Sequence, residues 1–455
     1  MEILTISGGS GLFGEVRIPG AKNSVLPIMA ASVLCRGTVT LTDVPHLSDV
    51  EASARILQSV GCKVLLENGR AVITPPEFPG SAVPEPLMRA MRSSLFYLAP
   101  LLARTGRADI YTPGGCRLGA RPIDMHLSGL EKMGAHITEK DGGALEVTAP
   151  DGLAGADICL RFPSVGATET LLMAAAAARG ETVLRGAAVE PEVTDLARFL
   201  QGAGADITGV GTRVLHIRGR ELLMGTQHAV CPDRITAATV LCAVAGCGGE
   251  VLLTNTCNAH LAEVLRILRR AGCMVSASGD SSVALASSGA LRAAGGWDTG
   301  VYPSFPTDAA PLMAAALLRA QGESRVTDTI FENRFACAEG FLRLGASVNV
   351  CGRTLHVHGM DLLNGADVEA PDLRGGAGHR RAAGTGQHPR HGRGAYQPRL
   401  RGHCGAACTA GGAHHAQLGV NRAGAVAGMP GPCYDNRKLR AGGEGPAGPH
   451  PHGRA

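Results

Sequence analysis

A short pattern of glycine, a small residue, any residue and a β-branched residue recurs five times along this 455-residue chain. Successive copies begin 73, 70, 68 and 73 residues apart. The copies are Gly61-Cys-Lys-Val64, Gly134-Ala-His-Ile137, Gly204-Ala-Asp-Ile207, Gly272-Cys-Met-Val275 and Gly345-Ala-Ser-Val348. Apolar residues at helical spacing precede each copy, and glycine suits the left-handed residue that ends a helix. Each copy therefore predicts a helix, a glycine stop and a strand.

A second series of glycines keeps the same spacing. Each follows an Ala/Leu-rich helical run and precedes a β-rich segment, and the five are Gly37, Gly106, Gly180, Gly249 and Gly322. Each repeat of roughly 70 residues then holds two helices and several strands, and so small a unit must share its core with its neighbours. Because the chain is too long for one core of ordinary size, two domains are expected. Three repeats in each would give two similar halves.

The sixth repeat of this series is missing. It is due near residue 415, where the sequence is Thr409-Ala-Gly-Gly-Ala-His-His415. From Gly375 onward there is no Ile or Phe, eight of the sixteen histidines occur, and eleven basic residues face two acidic ones. Such a segment cannot bury enough apolar surface to offset its chain entropy. The sequence predicts a disordered tail over residues 375–455.

Two interpretations of this tail stay open. It is either a natural basic arm that binds nucleic acid or another polyanion, or the product of a reading-frame slip in a GC-rich gene. The abrupt change after Asp372-Leu-Arg374 and the lost repeat favour the slip, so nucleic acid is not expected as a partner. The histidines lack a regular spacing, and no metal site is expected from them.

Composition places the chain among cytoplasmic proteins. It is 45% apolar but only 3% aromatic, which is typical of a soluble core of aliphatic residues. The fourteen cysteines show neither zinc-finger nor paired-disulfide spacing, which favours reduced thiols. We find neither a secretory leader nor a charge-free apolar run long enough to span a bilayer, so no membrane association is expected.

One cysteine stands in a cationic, glycine-rich setting. Cys116 follows Gly114 and Gly115, and Arg117 and Arg121 follow it. Nearby positive charge favours a thiolate, and glycines leave the backbone free, so Cys116 is predicted to be reactive. The alternative is that Cys116 is a small packed hydrophobic residue, as most single cysteines are.

Seven motifs, in order from the N-terminus to about Arg374, give the chain a family resemblance. They are Pro19-Gly-Ala-Lys-Asn-Ser24, Pro113-Gly-Gly-Cys-Arg-Leu-Gly-Ala-Arg-Pro122, Phe162-Pro-Ser-Val-Gly-Ala-Thr168, Glu190-Pro-Glu192, Pro232-Asp-Arg234, Phe305-Pro-Thr-Asp308 and Phe331-Glu-Asn-Arg-Phe335. Together they resemble the enolpyruvyl transferases, and among them the UDP-N-acetylglucosamine 1-carboxyvinyltransferases.

The resemblance implies an α/β fold of two inside-out, barrel-like domains built from βαβαββ repeats, here with the sixth repeat degraded. In that family the first twenty or so residues cross over to complete the second domain. We therefore expect residues 22–230 to form the first domain, and residues 1–21 with 231–374 an incomplete second domain.

The resemblance also implies the chemistry. The enolpyruvyl group of phosphoenolpyruvate would pass to the 3-hydroxyl of UDP-N-acetylglucosamine, with release of phosphate, through a tetrahedral adduct. This reaction opens peptidoglycan precursor synthesis and needs no cofactor or metal. It requires a proton for the methylene carbon, a base for the hydroxyl and fixed positive charge for phosphate and carboxylate.

Site residues carry over from the matched motifs. Cys116 matches the loop cysteine that donates the proton, Asp308 the aspartate that accepts or orients the hydroxyl proton, and Lys22 a phosphate-binding cation. The alternatives are a solvated lysine for Lys22 and a helix N-cap for Asp308. The remaining predicted substrate-binding residues are Asn23, Arg92, Arg121, Pro122, Ile123, Asp124, Met125, Ser164, Val165, Gly166 and Ile330.

The chain departs from the family in one respect. Members carry a further arginine in an Asp-Arg-Gly-Tyr type of motif within the sixth repeat, and no such motif follows Arg374. We therefore expect this chain to have little or no activity. Two other functions remain open: enolpyruvyl transfer to shikimate 3-phosphate, and a non-catalytic relative with a basic tail.

Overall fold

The computed structural model describes residues 3, 5–111, 122–221 and 223–369. Within these ranges the chain is a mixed α/β protein in which short sheets alternate with helices. The α-helices are α1 (Lys22–Ala31), α2 (Ser48–Ser59), α3 (Glu85–Ala90), α4 (Leu98–Thr105), α5 (Asp124–Lys132), α6 (Val165–Ala177), α7 (Pro191–Gly202), α8 (Arg234–Cys247), α9 (Ala262–Arg270), α10 (Ala310–Ala316) and α11 (Ala338–Arg343).

The third repeat shows the βαβαββ unit in full. Its central strand β10 lies parallel to β9 and antiparallel to β12, and β12 pairs in turn with β11. Helix α6 connects β9 to β10, and α7 connects β10 to β11. The expected unit is therefore confirmed here. Its strands are β9 (Asp157–Cys159), β10 (Glu181–Arg185), β11 (Asp206–Thr208) and β12 (Val214–Arg218).

The other four repeats follow the same plan, with a parallel edge strand beside an antiparallel trio. In the second repeat an isolated bridge between Ala82 and Asp109 takes the place of the edge strand. The sheets are β14 (Gln227–Ala229) with β3 (Val39–Thr42), β5 (Arg70–Thr74) and β4 (Lys63–Glu67); β6 (Arg107–Tyr111) with β8 (Ala144–Thr148) and β7 (His136–Lys140); β1 (Leu12–Arg17) with β15 (Gly249–Thr254), β17 (Ser282–Ser287) and β16 (Met274–Ser278); and β18 (Gly295–Asp298) with β19 (Glu323–Thr327), β21 (Thr354–His358) and β20 (Ser347–Cys351). A further pair joins β2 (Cys35–Arg36) to β13 (Leu223–Met224).

The glycines predicted to end helices do so. The five that open the recurring pattern have φ between 77° and 101°, the left-handed region that side chains disfavour. The second series has φ between 71° and 122°, and each of its glycines stands at or just before a strand. The repeat pattern was therefore interpreted correctly over the described chain.

Besides the β2–β13 pair, two strand pairings join segments far apart in sequence. The N-terminal β1 runs parallel to β15 of the fourth repeat, with Leu12 opposite Gly249. In the opposite direction, β14 returns to the first repeat and pairs with β3. The segments that lead out of these strands also bond to each other: the Ala21 N–H donates to the Cys231 carbonyl at 2.7 Å, and the Asp233 N–H to the Pro19 carbonyl at 2.9 Å.

The apolar side chains form two clusters. The first core gathers residues between Val25 and Val230, and the second core gathers Ile18 with residues between Ala237 and Leu363. Helices such as α1 and α6 are buried nearly all round, which is typical of helices in the middle of a core. The strands, by contrast, alternate buried and exposed residues, so one sheet face is turned outward. In the described part of the chain the sheets remain separate and do not close into a barrel.

Several sequence expectations lie outside the described residues. These are the Cys116 loop, within residues 112–121, and the position of the sixth repeat with the tail of residues 375–455. The expected domain boundary near residue 230 stays a prediction. None of the described helices combines the length and apolar character needed to cross a membrane.

Candidate functional site

Lys22 and Asn23 open helix α1 at the edge of the first core. Lys22 is half-buried and Asn23 exposed, whereas the rest of the helix from Ser24 to Ala31 is buried. The Lys22 ammonium forms an ion pair with the Asp49 carboxylate at the start of α2. Lys22 is therefore not the solvated surface lysine of the alternative interpretation, since a carboxylate fixes its position.

Asp233 lies where helices α1 and α8 begin. Its Oδ1 accepts hydrogen bonds from the N–H groups of Ile235 at 2.9 Å and Thr236 at 3.1 Å, so it caps α8. Its Oδ2 accepts the Lys22 N–H at 3.4 Å. One carboxylate thus connects the first turn of α1 to the first turn of α8.

Arg234, the next residue, joins the two cores. Its Nε and Nη2 donate to the two carboxylate oxygens of Glu192 at 3.0 and 3.2 Å, the bidentate geometry that suits arginine. The Tyr302 ring lies 5.7 Å from the guanidinium carbon. Burial lowers the pKa of Arg234, but Glu192, Glu190 and Asp308 raise it by more. The charge of Asp308 therefore acts on this arginine.

Asp308 lies in a 3-10 turn, Thr307–Ala309, directly before α10. Helix α10 has Ala309 as its N-cap residue, so the N-cap interpretation of Asp308 is wrong. The Asp308 Oδ1 instead accepts from Arg334 Nη2 at 3.1 Å, and about a third of the side chain is exposed. Its carboxylate is thus held by a cation and still partly open to solvent.

Arg334 is the centre of a small polar network around Asp308. Its Nε donates to Thr307 Oγ1 at 3.0 Å, and its guanidinium carbon lies 4.6 Å from the centroid of the Phe331 ring. Asp328 Oδ1 accepts the N–H groups of Ile330 at 2.9 Å and Phe331 at 2.6 Å. This fixes the backbone at the predicted site residue Ile330, which is half-buried.

The residues predicted to bind the sugar nucleotide lie at helix starts. Arg92 begins a 3-10 helix, Arg92–Tyr97, Asp124 begins α5, and Ser164 is the N-cap of α6 with its Oγ accepting the Ala167 N–H at 3.3 Å. All described members are half-buried except Pro122, which is exposed: Arg92, Pro122, Ile123, Asp124, Met125, Ser164, Val165 and Gly166.

His126, in the first turn of α5, packs against one of these helix starts, and no sequence motif pointed to it. A Cβ placed on Gly166 would lie 3.0 Å from its Nε2, so the imidazole packs against the first turn of α6. Burial is the main cause that lowers the pKa of His126 to about 4; the charge of Arg92 acts in the same direction, whereas the Ile123 carbonyl and Asp124 oppose it. The imidazole is therefore neutral at physiological pH.

A second group that sequence reasoning missed surrounds Asp195 beside the crossing segments. Asp195 accepts from Ser24 Oγ, from the Cys231 N–H at 3.0 Å, and contacts His228 Nε2 at 3.0 Å. Burial alone would raise the pKa of Asp195, but these hydrogen bonds outweigh it and lower the pKa. The ionised carboxylate thus ties α1, α7 and the segment after β14 together.

The third missed feature is Glu169, which is fully buried within the apolar helix α6. Neither of its carboxyl oxygens has a hydrogen-bond partner among the described residues. Burial, with the nearby charges of Glu192 and Glu190, raises the pKa of Glu169 well above its ordinary value. A glutamate inside an otherwise apolar run was the sequence signal for this group.

The structure places the described, predicted site residues in two neighbourhoods. Lys22 lies at the start of α1, where its backbone N–H bonds to Asp233 at the start of α8, and Asp308 lies directly before α10, where its charge raises the pKa of Arg234. Of the residues predicted to bind the sugar nucleotide, Gly166 packs against His126, and the charges of Arg92 and Asp124 affect the pKa of this histidine. Cys116 and Arg121, which the sequence assigns to the same site, lie outside the described residues. Within the described ranges, no group of three or more His, Cys, Asp or Glu side chains could hold a metal ion.

Comparison with known proteins gives one family. The family model described as EPSP synthase (3-phosphoshikimate 1-carboxyvinyltransferase) matches residues 6–383. A UDP-N-acetylglucosamine 1-carboxyvinyltransferase 2 from Carboxydothermus hydrogenoformans is 44% identical over 377 residues, which is 83% of this chain and 90% of that protein. The UDP-N-acetylglucosamine 1-carboxyvinyltransferase of Shewanella denitrificans is 45% identical over 378 residues, again 83% and 90% of the two chains.

Solved structures agree on the fold. The enolpyruvyl transferase NikO from Streptomyces tendae superposes with a TM-score of 0.69 at 24% identity, over 78% of this chain and 83% of that one. An EPSP synthase from Acinetobacter baumannii gives a TM-score of 0.57 at 20% identity, over 79% and 84%. At these identities the likeness establishes the shared architecture alone.

Proposed function

This chain belongs to the enolpyruvyl transferase family, and from that premise we propose that it is a UDP-N-acetylglucosamine 1-carboxyvinyltransferase by descent and site design. Such an enzyme transfers the enolpyruvyl group of phosphoenolpyruvate to the 3-hydroxyl of UDP-N-acetylglucosamine and releases phosphate. The observation that carries this proposal is the 41–45% identity to enzymes of that name over 82–83% of the chain. The reaction would serve peptidoglycan synthesis in the cytoplasm, and so cell-wall growth and division.

The described geometry supports a division of labour in this reaction. Asp308, held by Arg334 and partly exposed, would accept the proton of the sugar hydroxyl as its oxygen adds to C2 of the enolpyruvyl group. Lys22 would release Asp49 in part to contact the phosphate, a point-charge contact that suits lysine. Cys116 would protonate the methylene carbon, and Arg121 would stabilise the developing charge; loss of phosphate and of one methyl proton then restores the vinyl group.

Transfer to shikimate 3-phosphate is the second candidate, because the matching family model has that description. The Cys116 loop and the Pro19-Gly-Ala-Lys-Asn start argue against it, since those sister enzymes usually begin with a Gly-Asp-Lys-Ser type of motif. Identity to the Acinetobacter EPSP synthase is only 20%, well below the identity to the carboxyvinyltransferases.

We further propose that the 455-residue chain itself is impaired. It contains five copies of the repeat, and no Asp-Arg-Gly-Tyr type of motif follows Arg374 to supply the last substrate-binding arginine. Loss of one substrate-positioning cation lowers turnover because misplaced reactants lose about a hundredfold in rate for small displacements.

The test compares two proteins. The first is the chain as it stands; the second is a chimera in which everything after Arg374 is replaced by the matching segment of the Carboxydothermus relative. Both are given phosphoenolpyruvate with either UDP-N-acetylglucosamine or shikimate 3-phosphate, and phosphate release and product mass are measured. We expect the chimera to use only the sugar nucleotide, and the natural chain to be about a hundredfold slower.

The contrary outcomes are distinct. Turnover of the natural chain at the rate of the chimera would refute the impairment. A chimera that accepts shikimate 3-phosphate and rejects UDP-N-acetylglucosamine would refute the substrate. Asp308→Asn and Lys22→Ala in the chimera should lower kcat, whereas Arg185→Ala, which breaks an exposed ion pair with Asp157, should not.

A further inference from the structure

The predicted base Asp308 stands at the end of a short loop, residues 299–308, which we call the Asp308 loop. The loop folds on itself: the Gly300 N–H donates to the Phe305 carbonyl and the Ser304 N–H to the Val301 carbonyl, both at 3.0 Å. Phe305 is buried in the second core and lies edge-on to Trp297, with ring centroids 5.9 Å apart. One end of the loop is therefore anchored in the second core.

A second set of contacts joins the loop to the start of α7, which belongs to the first core. Glu190, the N-cap residue of α7, accepts the Tyr302 N–H through Oε1 at 3.3 Å. Glu192 in the first turn binds Arg234, over which the Tyr302 ring packs. Glu190 and Glu192 are only 9% and 4% exposed, so these polar contacts are screened from water.

A third glutamate, the fully buried Glu169 of α6, adds to this cluster. Burial, with the charges of Glu192 and Glu190, raises the pKa of Glu169. Burial also raises the pKa of Glu190, although its bond to the Tyr302 N–H and the charge of Arg234 act against this rise. Glu192 is the carboxylate that forms the bidentate pair with Arg234.

We propose that Glu190, Glu192 and Arg234 form a latch between the two cores that holds the Asp308 loop in place, and that they are positioning residues for Asp308. Glu190 holds the loop backbone at Tyr302, and the Glu192–Arg234 pair supports the Tyr302 ring. The role of Asp308 in the reaction rests on the function proposed above. The latch itself does not depend on that function, because its contacts are present without substrate.

Amide exchange at the loop tests the latch directly. In Glu190→Ala the Tyr302 N–H loses its acceptor, and its hydrogen–deuterium exchange should become up to about tenfold faster, the factor expected for the loss of one hydrogen bond. Glu190→Gln keeps a carbonyl oxygen at the same place, so it should restore protection to within about twofold. Both variants are made in the full 455-residue protein.

The single tryptophan of the chain gives a second readout. Trp297 is 6% exposed and packs on Phe305 of the loop, so loosening the loop should increase acrylamide quenching of its emission in Glu190→Ala. Arg185→Ala is the matched control: Arg185 binds Asp157 through two contacts of 3.1 Å, as Arg234 binds Glu192, but at an exposed site far from the loop in sequence. It should change neither signal.

Each outcome decides the proposal. Unchanged exchange at Tyr302 in Glu190→Ala, or equal changes in Glu190→Ala and Arg185→Ala, would overturn the latch. In the chimera, Glu190→Ala should lower kcat about tenfold and leave the KM for the sugar nucleotide within about twofold. A faster-exchanging loop with normal kcat would overturn the positioning role. A chimera without turnover would instead count against the proposed function, and the exchange result would still decide the latch.

Discussion

Acid destabilisation through His126 is the prediction that the structure specifies most closely. The imidazole is 7% exposed, and burial lowers its pKa to about 4 from an ordinary value of 6.5. When the pKa of a group is lower in the folded protein than in the unfolded protein, the group contributes stability at pH values above its pKa in the unfolded protein. This contribution is lost as the pH falls towards its pKa in the folded protein. His126 should therefore contribute fully above pH 6.5 and lose its contribution between pH 6.5 and about 4.

The difference between these two pKa values corresponds to about 3 kcal/mol of unfolding free energy. We expect the stability of the natural chain, relative to that of His126→Gln, to fall by about this amount between pH 7 and pH 4 in urea unfolding experiments. His46→Gln is the control, since the His46 side chain is 74% exposed and its curve should run parallel to that of the natural chain. A difference between the natural chain and His126→Gln that stays flat with pH would refute the reasoning.

Three further predictions concern stability, and each is measured by urea unfolding. Asp233→Ala should cost about 1–2 kcal/mol, because the first amides of α8 lose their cap, whereas Asp233→Asn should cost less. Glu169→Gln should become increasingly stabilising as the pH rises above 4.5, because the raised pKa of Glu169 makes the folded state lose stability with rising pH; a constant difference across pH would contradict this. Gly129→Ala should cost about 1–3 kcal/mol, because its Cβ would lie 2.4 Å from Leu171 Cδ2, while Gly340→Ala, which meets nothing within 4 Å, should be neutral or stabilising; equal effects would contradict it.

The ends of helices and the starts of strands were predictable from the sequence because glycines stand at these positions. A helix end needs a left-handed residue, and the chain uses glycine for this at every repeat, so Gly61 and its equivalents predicted where helices stop and strands begin. The long-range pairings have no such local signal. The family resemblance supplied the crossing of the N-terminal segment, but the return of β14 to β3 became visible only in the structure.

The candidate site was likewise predictable only in part. Lys22 and Asp308 were predicted as site residues because they lie in motifs, and the structure adds the side chains that hold them, Asp49 and Arg334. None of the sequence motifs pointed to His126, because a sequence does not reveal which histidine loses its water on folding. Burial depends on the packing of α5 against α6, and that packing is set by residues far apart in the chain.

The pairing of β1 with β15 has a consequence for biosynthesis. Strand β1 cannot pair with β15 until roughly 240 further residues have been made, which takes tens of seconds at about 5–20 residues per second. Throughout that time β1, including Phe13, offers unsatisfied backbone groups to other nascent chains or to chaperones. A bulky fusion at the N-terminus should accordingly disturb maturation of the fourth repeat, far along the polypeptide, and spare the repeats that are synthesised next to it.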